Sequence, residues 1–232
     1  MKAILVSTLL LIYGLLPSDN DWKKDRAVSS FSGVSVSSGI DVYLTQGSSE
    51  KLTFDVKGVD EDDVKSEVRN GVLKLYIERK RMNINWGRNT YVKAYLTFRQ
   101  LTELQASGGS DVLGQGTLSF KNLTISGSGG SDVKLALKAD EVNVSAGGGS
   151  DVVIEGSARS LNADGSGGSD LDARKLTVDV CNANSSGGSD VYVHATRELS
   201  LKASGGSDIY YYGSAKVVSK SESGGSDITH KN

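Results

Sequence analysis

The chain is predicted to be all-β: a parallel β-helix, or β-solenoid, with about 19 residues per coil, preceded by a β-rich N-terminal capping part. Three observations predict it. The tetrapeptide Gly-Gly-Ser-Asp recurs at near-equal intervals, hydrophobic residues alternate with polar ones at a period of two, and the 232 residues hold 28 Gly but one Pro. Much Gly with many Val, Leu and Ser and almost no Pro favours strands and tight corners over disorder.

The repeat ends at Asp111, Asp132, Asp151, Asp170, Asp190, Asp208 and Asp227, with gaps of 21, 19, 19, 20, 18 and 19. A fixed period of this size marks an architecture whose units bury their apolar faces only against their neighbours. An eighth, degenerate copy, SSGIDVYL, ends its tetrapeptide at Asp41.

Within a repeat the even positions Val142, Val144, Ala146, Gly148, Ser150, Val152 and Ile154 alternate with Glu141, Asn143, Ser145 and Asp151. Such alternation is a strand signal. The same parity holds for Leu161, Ala163, Gly165, Gly167, Ser169, Leu171 and Ala173, and again from Leu199 to Ile209. It points the Ser of each repeat inward and the Asp outward, and Ile40 occupies the Ser position of the degenerate copy. Short polar segments (138–141, 156–160, 195–198, 213–216) separate the runs, so each repeat is two strands joined by a polar turn and a Gly-Gly corner. Corners stacked at strand spacing need unusual backbone angles and leave little room for side chains, which is the reason for glycine, and both Gly167 and Gly168 are expected to be constrained. About 19 residues at ~3.3 Å give a perimeter near 60 Å, and six steps at ~4.8 Å a stack of roughly 29 Å.

Residues 1–17 read as a signal peptide: Lys2, an apolar run from Ala3 to Leu16, then Pro17. The run is short for a membrane span, although no Ala-x-Ala cleavage site follows and a retained anchor is the rival reading. Residues 25–105 form the β-rich N-terminal part, in which Asn70-Gly71 between apolar runs signals a hairpin. This part is expected to cap the repeat solenoid of residues 106–232, because a bare solenoid end exposes edge strands.

The order RAVSSFSGVSVSSGIDVYLTQG, then NGVLKLYI, then serial SGGSDV resembles the bacterial auto-transporter adhesin family called the head GIN domain, a domain of unknown function, over about residues 25–230. The resemblance implies an exported β-helical protein of the Gram-negative envelope, at the periplasm, the outer-membrane surface or outside the cell. Its adhesin label is itself an inference, and it supplies no catalytic or ligand residues to carry over. Ile40-Asp41 follows Gly39 here, where the family name stands for Gly-Ile-Asn.

A net charge of -2 gives no electrostatic footprint for nucleic acid or an anionic membrane surface. Cys181 is the only cysteine, so there is no internal disulfide, and it reads as a small buried hydrophobe. Neither His194 nor His230 stands at metal-ligand spacing, and no nucleophile elbow, phosphate loop or dinucleotide fingerprint is present. No enzymatic activity and no cofactor are expected.

Two features carry the functional reading. The Asp ladder places like charges ~4.8 Å apart, which repel by roughly 1 kcal/mol in water. Solvent, corner N–H groups and Ser hydroxyls are expected to relieve it; calcium between coils is the alternative. Tyr192 and Tyr210 lie two residues after Asp190 and Asp208, with His194 and Tyr212 two further on. Pointing outward on neighbouring coils, these four form a candidate patch for a glycan or a cell-surface protein, or an ordinary cross-strand stack. The expected function is an exported, non-enzymatic binding or structural module of adhesin type. A polysaccharide-binding or polysaccharide-degrading β-helix is the alternative.

Overall fold

A computed structural model describes residues 21–78 and 90–232; the segment read as a signal peptide lies outside the described residues. Among the described residues, seventeen strands form one continuous sheet wound into a solenoid. The first seven are β1 (Trp22–Arg26), β2 (Gly33–Val36), β3 (Asp41–Gln46), β4 (Lys51–Lys57), β5 (Val64–Arg69), β6 (Val72–Ile77) and β7 (Tyr91–Phe98). The repeats supply β8 (Glu103–Ala106), β9 (Asp111–Ser119), β10 (Asn122–Gly127), β11 (Asp132–Ala146), β12 (Asp151–Ser166), β13 (Asp170–Gly187), β14 (Asp190–Gly205), β15 (Asp208–Tyr212), β16 (Lys216–Gly224) and β17 (Asp227–His230).

All repeat pairings are parallel and bring equivalent residues together. Asp132 faces Asp151, Val133 faces Val152 and Val142 faces Leu161; Leu171 faces Val191 and Cys181 faces Leu199. The predicted parity follows through the core, where Val142, Val144, Val152, Ile154, Leu161, Leu171, Leu199 and Ile209 are all buried. Cys181 is fully buried, and burial pushes its thiol up to about 12, so it stays neutral and packs as a hydrophobe. Parity lapses at the corners, where Gly148, Gly167 and Gly205 turn outward, and it resets at the register shifts inside β13 and β16.

Ser110, Ser131, Ser150, Ser169, Ser189 and Ser207 are buried as their parity requires. Each hydroxyl from Ser131 onward accepts a backbone N–H three residues earlier, as from Gly147 to Ser150 (3.0 Å) and Ser166 to Ser169 (3.2 Å). Ser131 donates to Ala106 O and Ser169 to Ala146 O. A buried hydroxyl is tolerable when so paired, and the pairing ties each corner to the strand before it.

The N-terminal strands do not stack in chain order. β2 lies between β6 and β8, and β3 between β7 and β9, all parallel. The layer β6–β7 therefore lies on the far side of β2–β3 from the repeats, although it follows them in sequence. Beyond it the pairing turns antiparallel, with β5 on β6, β4 on β7 and β1 on β4. Asn70 and Gly71 both take positive φ, 53° and 76°, between Arg69 and Val72, which pair across the hairpin that these two residues predict.

Both glycines take positive φ at the corners 108–109, 129–130 and 148–149, but from the 167–168 corner onward only the first does. Gly167 has φ of +72°, and a Cβ there would sit 3.3 Å from Gly148 N. Gly168 is outside the positive-φ region and a Cβ would meet nothing within 4 Å. The expectation that both are constrained is thus corrected for Gly168. Gly167→Val should lower stability by at least about 2 kcal/mol, since a β-branched residue is poor in that conformation and crowds the coil beside it. Gly168→Ala should stay within about 0.5 kcal/mol. Thermal melts of the two variants check this, and equal losses would contradict the corner geometry.

Candidate binding face

Because the residues that follow each corner pair in register from coil to coil, the outward residues of that wall form rows along the solenoid, and the register shifts fall beyond them. The seven repeat aspartates are consecutive partners in one row, from Asp111 to Asp227. Asp41 extends it: its neighbour Val42 pairs with Val112, and its carboxyl is raised by burial first and then by Asp111, with Lys93 opposing. Burial, then Asp132 and Asp170, raise Asp151; burial, then Asp170 and Asp208, raise Asp190.

Relief of this repulsion is partly as expected. The row is exposed or half-exposed to solvent. Corner N–H groups serve it toward the last coils, Asp227 N donating to Asp208 Oδ1 at 3.1 Å and the Asp208 backbone opposing the rise of Asp190. Lys134 Nζ lies 3.6 Å from Asp132 Oδ2, and Thr229 donates to Asp227 Oδ2 at 2.9 Å. The Ser hydroxyls do not contribute, because the parity that buries them commits them to backbone groups inside. Among the described residues no group of three or more His, Cys, Asp or Glu side chains is gathered closely enough to hold a metal ion.

Two residues along each strand runs a parallel row: Tyr95, Tyr43, Leu113, Lys134, Val153, Asp172, Tyr192, Tyr210 and Thr229. Tyr192 and Tyr210 stack with centroids 4.9 Å apart and planes 20° apart. Arg174 covers the other face of Tyr192, its Cζ 4.1 Å from the centroid, and Lys231 Nζ lies 4.9 Å from that of Tyr210. A register shift between Ala173 and Thr177 lets Arg174 reach the ring. Asp172 then holds the guanidinium by a 2.8 Å bond to its Nε.

The result is a cation, ring, ring, cation sandwich along the solenoid axis, with both ring faces occupied and the ring edges toward solvent. Tyr210 donates to Asp208 Oδ2 at 3.1 Å, and this bond, followed by burial, pushes its phenol up to about 12. His194 and Tyr212 are register partners on the same two strands, both half-buried. The four residues singled out in the sequence are therefore neighbours.

A second stack, Tyr43 on Tyr95 at 5.1 Å and 17°, lies at the other end of the row. Sequence reasoning missed it, although the tripeptide Asp-Val-Tyr stands at both 41–43 and 190–192. Between the stacks a shallow groove of about 510 Å³ is lined by Gly114, Thr117, Lys134, Leu135, Val153 and Glu155.

Fold and face together define a solenoid protein that displays its side chains in rigid surface rows. The chain belongs to the family described as "Putative auto-transporter adhesin, head GIN domain", whose model matches residues 30–215. It is similar to the crystal structure of a protein named a putative adhesin from Bacteroides fragilis, at 23% identity and TM-score 0.82 over 94% of this chain and 100% of that one. A protein from Parabacteroides merdae with the same description has 16% identity and TM-score 0.72, over 92% and 97%. One from Parabacteroides distasonis, named a putative lipid binding protein, has 17% and 0.67, over 91% and 97%. At such identities the likeness is one of fold. Among curated proteins, none matches the chain.

The raised carboxyl of Asp151 gives a testable sign. A carboxyl whose folded pKa exceeds its unfolded value ionises at the folded state's expense. Its contribution is most favourable below the ordinary value of 3.8 and declines as pH rises through the window above it. Asp151→Asn should therefore raise stability at pH 7 by up to roughly 1 kcal/mol, as expected for charges at strand spacing in water, and change little at pH 3. Denaturant titrations at both pH values measure this. Thermal melts of the parent with and without chelator test the calcium alternative, for which its melting temperature would fall.

Proposed function

We propose that the protein is an exported, non-enzymatic binding module of the Gram-negative cell envelope, and that its ligand is an extended, hydroxyl-rich polymer such as a surface glycan lying along the tyrosine row. The family and its fold support the adhesin-type role. One observation carries the ligand class: Tyr43–Tyr95 and Tyr192–Tyr210 stand toward opposite ends of a single register row, with the Asp row beside it. From Tyr43 to Tyr192 is five coil steps, about 24 Å at strand spacing, a span suited to a linear chain of several sugar units.

Ring faces already taken by Arg174 and Lys231 leave the phenol edges and neighbouring carboxylates to make the contacts, so recognition runs through hydrogen bonds to hydroxyls rather than ring stacking. A rigid array pays little ordering entropy on binding, which suits repeated weak contacts. The alternative is that the carboxylates cleave the polymer. That reading rests on analogy with other β-helical proteins.

Binding to envelope polysaccharides, measured by glycan array and affinity electrophoresis, checks the proposal. Tyr43→Ala and Tyr192→Ala should each weaken binding of a long polymer by about fivefold, the equivalent of roughly 1 kcal/mol. A short oligosaccharide that reaches only one stack should respond to one of the two variants alone. Unchanged binding in both variants would sink the row as the site, and release of oligosaccharide products would favour the enzyme.

A further inference from the structure

Two rows that run through the core as small or apolar uncharged residues end on charges in the last described coil. Lys220 is the register partner of Leu201, and Glu222 that of Ala203. A register shift after Leu199, which pairs with Val217, leaves Val218 out of the ladder and brings Lys220 and Glu222 to inward-facing positions. Elsewhere the same two rows hold Val144, Ala163 and Ala183, and Ala146, Gly165 and Ser185.

These two side chains converge on one backbone residue of the opposite wall. Glu222 Oε1 accepts the Ile228 N–H at 2.8 Å, Lys220 Nζ donates to Ile228 O at 3.0 Å, and Nζ lies 3.0 Å from Oε1. In a parallel ladder the N–H and C=O of one residue point to the same neighbouring strand, and alternate residues point to opposite ones. Asp227 N donates back to Ser207 O and Lys231 N to Tyr211 O, so Ile228, of the other parity, faces away from β15. The ion pair thus makes the two hydrogen bonds that a strand stacked on β17 would make to Ile228.

We propose that Lys220 and Glu222 close this end of the solenoid to strand addition by a second copy of the chain. A second copy is the occupant that fits best, because coils of this sequence already stack on one another in register. An incoming strand would have to displace the pair from Ile228 and bury both charges above Leu201 and Ala203. Inward-pointing charges protect sheet edges for this reason.

The test restores the repeat's own residues in the full chain. K220L/E222A should keep its circular dichroism spectrum and self-associate with concentration by light scattering, at least tenfold more tightly than the parent. The swapped pair K220E/E222K retains inward charges and should associate no more than the parent. At dilutions where all are monomeric, the Ile228 amide should exchange at least tenfold faster in K220L/E222A than in the parent. An equally monodisperse K220L/E222A overturns the guard, and equal Ile228 exchange rates overturn the clip. Should the double variant not fold, Glu222→Ala alone applies the exchange criterion.

Discussion

The structure depends on in-register parallel pairing: each side chain has, one strand spacing away on either side, its own counterpart from the coil before and the coil after. For apolar residues this is favourable in every row. Val133, Val152, Leu171, Val191 and Ile209 stack into one continuous strip of core. For the buried serines it is favourable because each hydroxyl turns to the backbone of its own corner or of the coil before.

Polar rows must solve a problem the core does not have, since identical groups meet like against like. Amides solve it internally: Asn162 donates to Asn143 at 2.7 Å and Asn182 to Asn162 at 2.9 Å, donor to acceptor up the wall. Tyrosines solve it by stacking and by taking cations on the outer faces. Carboxylates cannot pair with one another in either way, so the Asp row stays at the solvent, takes Lys134 and Tyr210 at two positions, and carries raised carboxyls at Asp41, Asp151 and Asp190, with burial the first cause of each. The same spacing that creates this strain makes the face regular, and regularity is what a linear partner can use.

The two outer faces of the described stack are treated differently. On one side antiparallel strands β5, β4 and β1 lie beyond β6–β7, changing the direction of pairing so that the repeat pattern does not continue. On the other, the last described coil keeps the parallel direction but exchanges hydrocarbon for Lys220 and Glu222. A change of strand direction and a change of inward chemistry are two physical routes to the same outcome, an edge that does not template its own extension.

Read alone, the sequence determined whatever depends on a period of two within a period of about 19. That includes the solenoid, the inward Ser, the outward Asp, the neighbouring Tyr192 and Tyr210, and the Asn70-Gly71 hairpin. These are legible because parity is local and repetition copies one local answer seven times. Only the tertiary structure decided that β6–β7 lies outside β2–β3, that Tyr43 meets Tyr95, that Arg174 caps Tyr192, that Gly168 is relaxed while Gly167 is not, and that Lys220 and Glu222 hold Ile228. The glycine difference turns on a backbone angle that identical Gly-Gly pairs do not reveal. The others turn on a register shift or a contact between segments that no period relates, since alternation along one strand carries no information about which distant strand lies beside it.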